Sequence, residues 1–176
     1  MKLSKIEHQY SEAIRVKLEA LHQILIDDVL SPETQPAETY RFLTRVKIAL
    51  GNFNNDLSFI ATLMAKEYLA KQLDVSTFDA AAKAPGSPGI DIVFTTRDGK
   101  RVAGEVKTTI PYKPGFGANQ REKIGNDIEK LRASNADMKF LFFTDRTTFE
   151  AARQVPAWVG TKIKVVLLPT GEEYSL

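Results

Sequence analysis

Ile90-Asp91-Ile92-Val93-Phe94-Thr95-Thr96 and Val102-Ala103-Gly104-Glu105-Val106-Lys107-Thr108, folded back on each other through Arg97-Asp98-Gly99-Lys100, form the stretch whose reading decides the fold. Both runs alternate and are rich in β-branched residues, and Asp-Gly between such runs is a strong hairpin signal. Closing the hairpin returns the second strand beside the first and carries Glu105 and Lys107 toward Asp91. Glu105 and Lys107 are two apart, so their side chains leave one face of the strand, roughly 7 Å from each other. Val106 turns the other way, and its backbone carbonyl stays available as a hard oxygen. Two carboxylates and a carbonyl suit Mg²⁺, which takes few protein oxygens and keeps several waters. A cation held there would acidify a water and neutralise charge on a phosphate. Lys107 would orient or deprotonate that water, or stabilise the charged transition state. Surface hairpins also carry Asp, Glu and Lys as solvated cross-strand pairs. The order of elements on either side favours the metal-binding reading.

Working outward, an apolar three- and four-residue periodicity predicts helices over 5–30, 37–50 and 55–73, with Ser31-Pro32-Glu33-Thr34-Gln35-Pro36 between the first two. A strand is expected over 75–78, then an Ala-, Gly- and Pro-rich stretch over 80–89 that leads into the hairpin. Residues 111–117 read as a loop holding Tyr112, Lys113 and Phe116, followed by a polar helix over 119–133. The run 138–144 contains Lys139-Phe140-Leu141-Phe142-Phe143, a strand whose continuous hydrophobicity predicts burial on both faces. A short helix over 147–154 and a last strand over 162–168 complete the chain. The fold class is α/β, with an αβββαβ core. The expected division is a helical extension over 1–51, for dimerisation or for contact with a partner or DNA, and a second domain over 52–176.

Composition narrows the field. A chain of 176 residues can bury a core without staples. It has no cysteine, which excludes disulfides and thiolate zinc sites. No apolar run is long enough to span a bilayer, and residues 1–14 carry no apolar leader segment, so a cytoplasmic location is expected. The net charge of +2 announces no polyanion binder, but Arg97, Lys100, Arg101, Lys107, Lys113, Arg121 and Lys123 cluster in and after the hairpin.

Asp at the start of one strand, Glu-x-Lys in the next, and the surrounding order of elements resemble the PD-(D/E)xK nuclease superfamily, the restriction-endonuclease-like fold. The resemblance covers about residues 53–168. It implies an endonuclease that hydrolyses DNA phosphodiesters with Mg²⁺, for which Mn²⁺ can substitute. Asp91 then corresponds to the motif aspartate, Glu105 to the second acidic ligand and Lys107 to the lysine, with the Val106 carbonyl as a further ligand. The chain departs from the pattern before Asp91, where Ile90 stands in place of proline and Pro88 lies three positions before the aspartate. Many members add an acid from the helix before the strands, here Asp56 or Glu67. Glu67 lies eleven residues further on, about 16 Å along a helix, and Asp91 is expected near the helix start, so Asp56 is the choice. Gln120 and Lys123 share a face of the following helix and, with Lys113, are candidate nucleic-acid contacts. Tyr112 and Phe116 could stack on bases.

The size and the helical pair favour a type II-like restriction endonuclease acting as a homodimer on double-stranded DNA. The alternative is a non-cleaving nucleic-acid-binding or assembly module on the same fold. Other chemistries lack their parts. His8 and His22 sit on the first helix without metal-ligand spacing, and there is neither a Walker-type phosphate loop nor a serine elbow, so no nucleotide cofactor is expected.

Overall fold

The apolar run around Phe140 becomes the middle of a mixed sheet of five strands in a computed structural model that describes residues 2–28, 31, 33–110, 117–168 and 170–176. The strands are β1 (Ile92–Thr95), β2 (Arg101–Lys107), β3 (Met138–Phe143), β4 (Lys164–Leu167) and β5 (Glu172–Ser175), and they lie side by side in that order. Three helices, α1 (Lys5–Asp27), α2 (Pro36–Leu50) and α3 (Phe53–Ala70), come before the sheet. Two more, α4 (Ala118–Ala133) and α5 (Arg146–Arg153), lie between strands. β1 and β2 pair antiparallel, β2 with β3 and β3 with β4 pair parallel, and β4 with β5 pair antiparallel. The protein is therefore α/β, with N-terminal helices followed by a mixed sheet with interspersed helices. No helix among the described residues is long and apolar enough to cross a membrane.

The chain separates into two compact units, residues 2–56 and 57–176. In the second, Phe140, Leu141, Phe142 and Phe143 are all fully buried, because β3 is covered on both faces. One face packs Leu141, Phe143 and Val165 against Ile124, Ile128 and Leu131 of α4 and Phe149 of α5. On the other, Phe140 and Phe142 stack at 5.6 Å and meet Tyr68 of α3 edge-on. Gly104 makes the close packing on that face possible, since a Cβ there would lie 3.1 Å from the Phe142 ring and 3.4 Å from Ile92. The hairpin turns as its Asp-Gly predicts: the Gly99 N–H donates to the Thr96 carbonyl at 3.0 Å, and Gly99 takes φ +85°.

Two expectations are corrected. Residues 75–78 form no strand. The Asp74 carboxylate accepts the Ser76 N–H at 2.9 Å and the Phe78 N–H returns to the Val75 carbonyl at 3.0 Å, so the segment turns instead of pairing. It still lies along β1, through the Thr77 hydroxyl on the Thr95 carbonyl at 2.7 Å and Phe78 stacked on Phe94. The last strand is not the one ending near Leu168 but β5. Glu172-Glu173-Tyr174-Ser175 has no apolar alternation, and pairing with β4 makes it a strand.

In the first unit, α1 opens with a capping box: the Glu7 N–H donates to the Ser4 hydroxyl at 3.1 Å, and the Ser4 N–H to the Glu7 carboxylate at 2.8 Å. Among its described residues only Glu7 and Asp56 are buried, and no apolar side chain is. Ile6, Leu18 and Leu25 of α1 and Tyr40, Leu43 and Ile48 of α2 are about half exposed or more.

Candidate active site

The hairpin register builds the site. Ile92 pairs with Gly104, so continuing the ladder by one step sets Asp91 opposite Glu105. The Asp91 Oδ2 atom accepts the Val106 N–H at 3.0 Å, which fixes this carboxylate at the end of β1. A strand residue's N–H and C=O leave on the same edge, so the Val106 carbonyl also faces the Asp91 side. Lys107, by alternation, turns its backbone toward β3, where its carbonyl accepts the Thr144 N–H at 3.1 Å. Ala103, Glu105 and Lys107 share the face that α4 covers. The structure thus brings together Asp91, Glu105, Val106 and Lys107.

Glu105 is 2% exposed, and its Oε1 atom has no hydrogen-bond partner among the described residues. Burial, and then the Asp91 carboxylate beside it, push its acid up from the ordinary 4.5 to about 8. A buried oxygen without a protein donor is a poor structural element, and a cation is one partner that would satisfy it. Asp91 and Glu105 with the Val106 carbonyl therefore fit a hard divalent cation. Among the described residues no three His, Asp or Glu side chains gather closely enough to hold one ion as they stand, so a site here would rest on two carboxylates, as Mg²⁺ permits.

A cleft of about 220 Å³ opens at Asp91. Asp91, Val106 and Lys107 line it from the hairpin, Ser58, Phe59 and Thr62 from α3, and Lys83, Pro85 and Gly86 from the Ala-, Gly- and Pro-rich stretch before the hairpin.

Compared with family models, curated proteins and solved structures, the chain matches none. The site is read from its own geometry.

Two residues that sequence reasoning missed belong to this geometry. Asp127 of α4 is 5% exposed and pairs with Lys107, while its other oxygen accepts from Lys130 at 2.8 Å. A signal existed: Ile124, Asp127, Ile128 and Leu131 form one i, i+3, i+4, i+7 stripe, and a carboxylate within a core-facing stripe asks for a reason. Lys83 donates to the carbonyls of Gly89 at 2.9 Å and Ile90 at 2.7 Å and lies 3.9 Å from the Asp91 carboxylate, so it braces the turn beneath that carboxylate. Nothing in its local sequence marks it.

The remaining expected residues are distributed as follows. Gln120 and Lys123 line a small cavity of about 60 Å³ together with Lys107, Thr109 and Thr148, so Lys107 borders two openings. Lys17 donates to both oxygens of Asp56 at 2.7 and 3.0 Å. Glu67 borders a different cleft, with Met64, Tyr68 and Lys71. Lys113, Tyr112 and Phe116 lie outside the described residues. Of the basic cluster, Arg97 pairs with Asp74 at 3.0 Å and Lys100 with Asp98 at 3.2 Å, which reduces the field available to a phosphate there.

Proposed function

We propose that the protein is a metal-dependent endonuclease that hydrolyses DNA phosphodiester bonds, on a restriction-endonuclease-like arrangement in which a turn replaces the first strand of the αβββαβ core. The observation that carries this reading is the placement of Asp91 opposite Glu105, one step beyond the Ile92–Gly104 pair, with one Glu105 oxygen buried and without a donor among the described residues. Asp91, Glu105 and the Val106 carbonyl would hold Mg²⁺ or Mn²⁺. The bound cation would supply charge neutralisation at the phosphate and a more acidic water. Lys107 supports the same step from the chain's side. Its ammonium has three donors, and those that Asp127 leaves free can reach a phosphate oxygen in the cleft. Ser58 and Thr62 offer hydroxyls on the opposite wall.

Within this reading the substrate is double-stranded DNA and the role is of the restriction type. Cutting both strands calls for two sites, hence a homodimer. The apolar side chains exposed on α1 and α2 support that assembly as its contact. Light scattering on the DNA-bound protein should give twice the chain mass, and a strict monomer that still cuts both strands would remove this part of the reading.

The direct test is cleavage of supercoiled plasmid with Mg²⁺ or Mn²⁺, beside Asp91→Ala and Lys107→Ala. Activity in the wild type should fall by about 10²–10⁴-fold in each variant. Retention on DNA without cleavage, weakening steeply with salt, would replace the enzyme by a binding module.

A further inference from the structure

We propose that Asp127 is a positioning residue: it holds the Lys107 ammonium away from Asp91 and Glu105, and so keeps that pair of carboxylates open to a divalent cation. The inference rests on the reading of the pair as a cation site and adds the device that keeps the site from closing on itself.

A lysine two residues beyond a buried glutamate, on the same strand face, has an obvious partner. Its stem is long and flexible, and attraction between opposite charges grows as water is excluded. Left to itself, Lys107 would fold onto Glu105 or Asp91 and neutralise them. The structure shows otherwise. The ammonium pairs with Asp127, whereas the Glu105 Oε1 atom has no donor among the described residues. Two other nearby cations are also engaged. Lys130 takes the second oxygen of Asp127, and Lys83 is hydrogen-bonded to the carbonyls of Gly89 and Ile90.

Asp127 can compete because it is rigidly placed. Its side chain is 7% exposed, against 21% for Lys107, and it projects from a helix anchored by Ile124, Ile128 and Leu131, all buried in the sheet core. The gathered groups are Asp91, Glu105 and Asp127 against Lys107, Lys130 and Lys83, the last 3.9 Å from Asp91. Lys107 and Lys130 both sit on the one carboxylate outside the hairpin pair. The Glu105 Oε1 atom is thereby left without an ammonium and open to a cation.

The test is calorimetric titration of the full chain with Mn²⁺, and again with Mg²⁺, for the wild type, Asp127→Asn, Asp127→Glu, Lys107→Met and the double variant Asp127→Asn/Lys107→Met. Asp127→Asn should weaken binding about 10–100-fold, the range for groups that orient a ligand set from outside it. Asp127→Glu keeps the charge and should retain most of the affinity. Lys107→Met should bind at least as tightly as wild type, and the double variant should recover to the Lys107→Met level, since the intruding ammonium is gone. Unchanged affinity in Asp127→Asn, or a double variant as weak as Asp127→Asn alone, would overturn the proposal. The second result would make Asp127 a ligand or a folding residue.

A readout without metal separates this idea from the one beneath it. In ¹⁵N-lysine NMR spectra the Lys107 ammonium should give a signal protected from water exchange in the wild type, lost in Asp127→Asn. If wild type binds no cation yet shows this pattern, the cation reading fails and with it the proposed purpose of the clamp. If cation binds but the Lys107 signal is unprotected or indifferent to Asp127, the clamp fails and the cation site stands.

Discussion

Two carboxylates on opposite sides of the unit boundary are buried to nearly the same degree and have opposite surroundings. Asp56, the last residue of the helical unit, is 4% exposed, and Lys17 donates to both its oxygens. Glu105, within the sheet unit, is 2% exposed and keeps one oxygen without a donor among the described residues. Burial of charge therefore does not by itself mark a functional group. A carboxylate whose lone pairs are met is a fastening, and replacing both partners with apolar groups costs little. A carboxylate that the fold desolvates and leaves short of donors is held at a cost that the fold alone does not recover. The first kind suits a helical unit with no buried apolar side chain among its described residues, where one good ion pair matters. The second is tolerable only inside a unit with a large core, and here Phe140, Leu141, Phe142 and Phe143 provide it.

This contrast can be broken in several ways, the most sensitive being catalysis. Glu105→Gln, which keeps shape and removes charge, should lower plasmid cleavage about 10³-fold. Asp56→Asn should stay within tenfold of wild type. Equal losses would keep Asp56 in the ligand set and erase the distinction. Melting gives the next largest effect. At a hundred times its dissociation constant a cation adds about 2.7 kcal/mol, which for a chain of this size raises the melting temperature by about 5–10 °C. The rise should vanish in Asp91→Ala and persist in Asp56→Asn.

A pH series on metal-free protein sharpens the comparison further. The Glu105 acid in the folded state stands above its unfolded value, so its protonated form stabilises the fold. That contribution is complete below the ordinary value of 4.5 and is gone once the pH has passed about 8. Denaturation by urea should therefore show stability falling over this interval in wild type, with this component absent from Glu105→Gln and unaltered in Asp56→Asn. The smallest effect concerns the fastening itself. Lys17→Met strands the Asp56 charge and should cost about 1–3 kcal/mol, less than for a fully enclosed pair because Lys17 is one-third exposed. The double replacement Lys17→Met/Asp56→Leu should recover most of it.

Much of this was legible from the chain. The Asp-Gly turn set the hairpin register, and period two then fixed Asp91, Glu105 and Lys107 on a common face, since both are properties of a few adjacent residues. The buried strand at Phe140 was equally plain from its unbroken hydrophobicity. Where the reading went astray, a competing local bond or a distant partner decided. The Asp74 cap on Ser76 turned the segment over 75–78 away from the sheet. Pairing with β4 made a strand of the polar run Glu172-Glu173-Tyr174-Ser175.

The amino-acid sequence alone determined the hairpin, the chemistry it presents and the helices on either side of it, because turn preference and hydrophobic period act over a few residues. Only the tertiary structure decided which charges meet. Lys17 is 39 residues from Asp56, and Asp127 is brought to Lys107 by the packing of α4 on the sheet. Ion pairs are chosen by distance and burial in space, and neither is written in the order of residues.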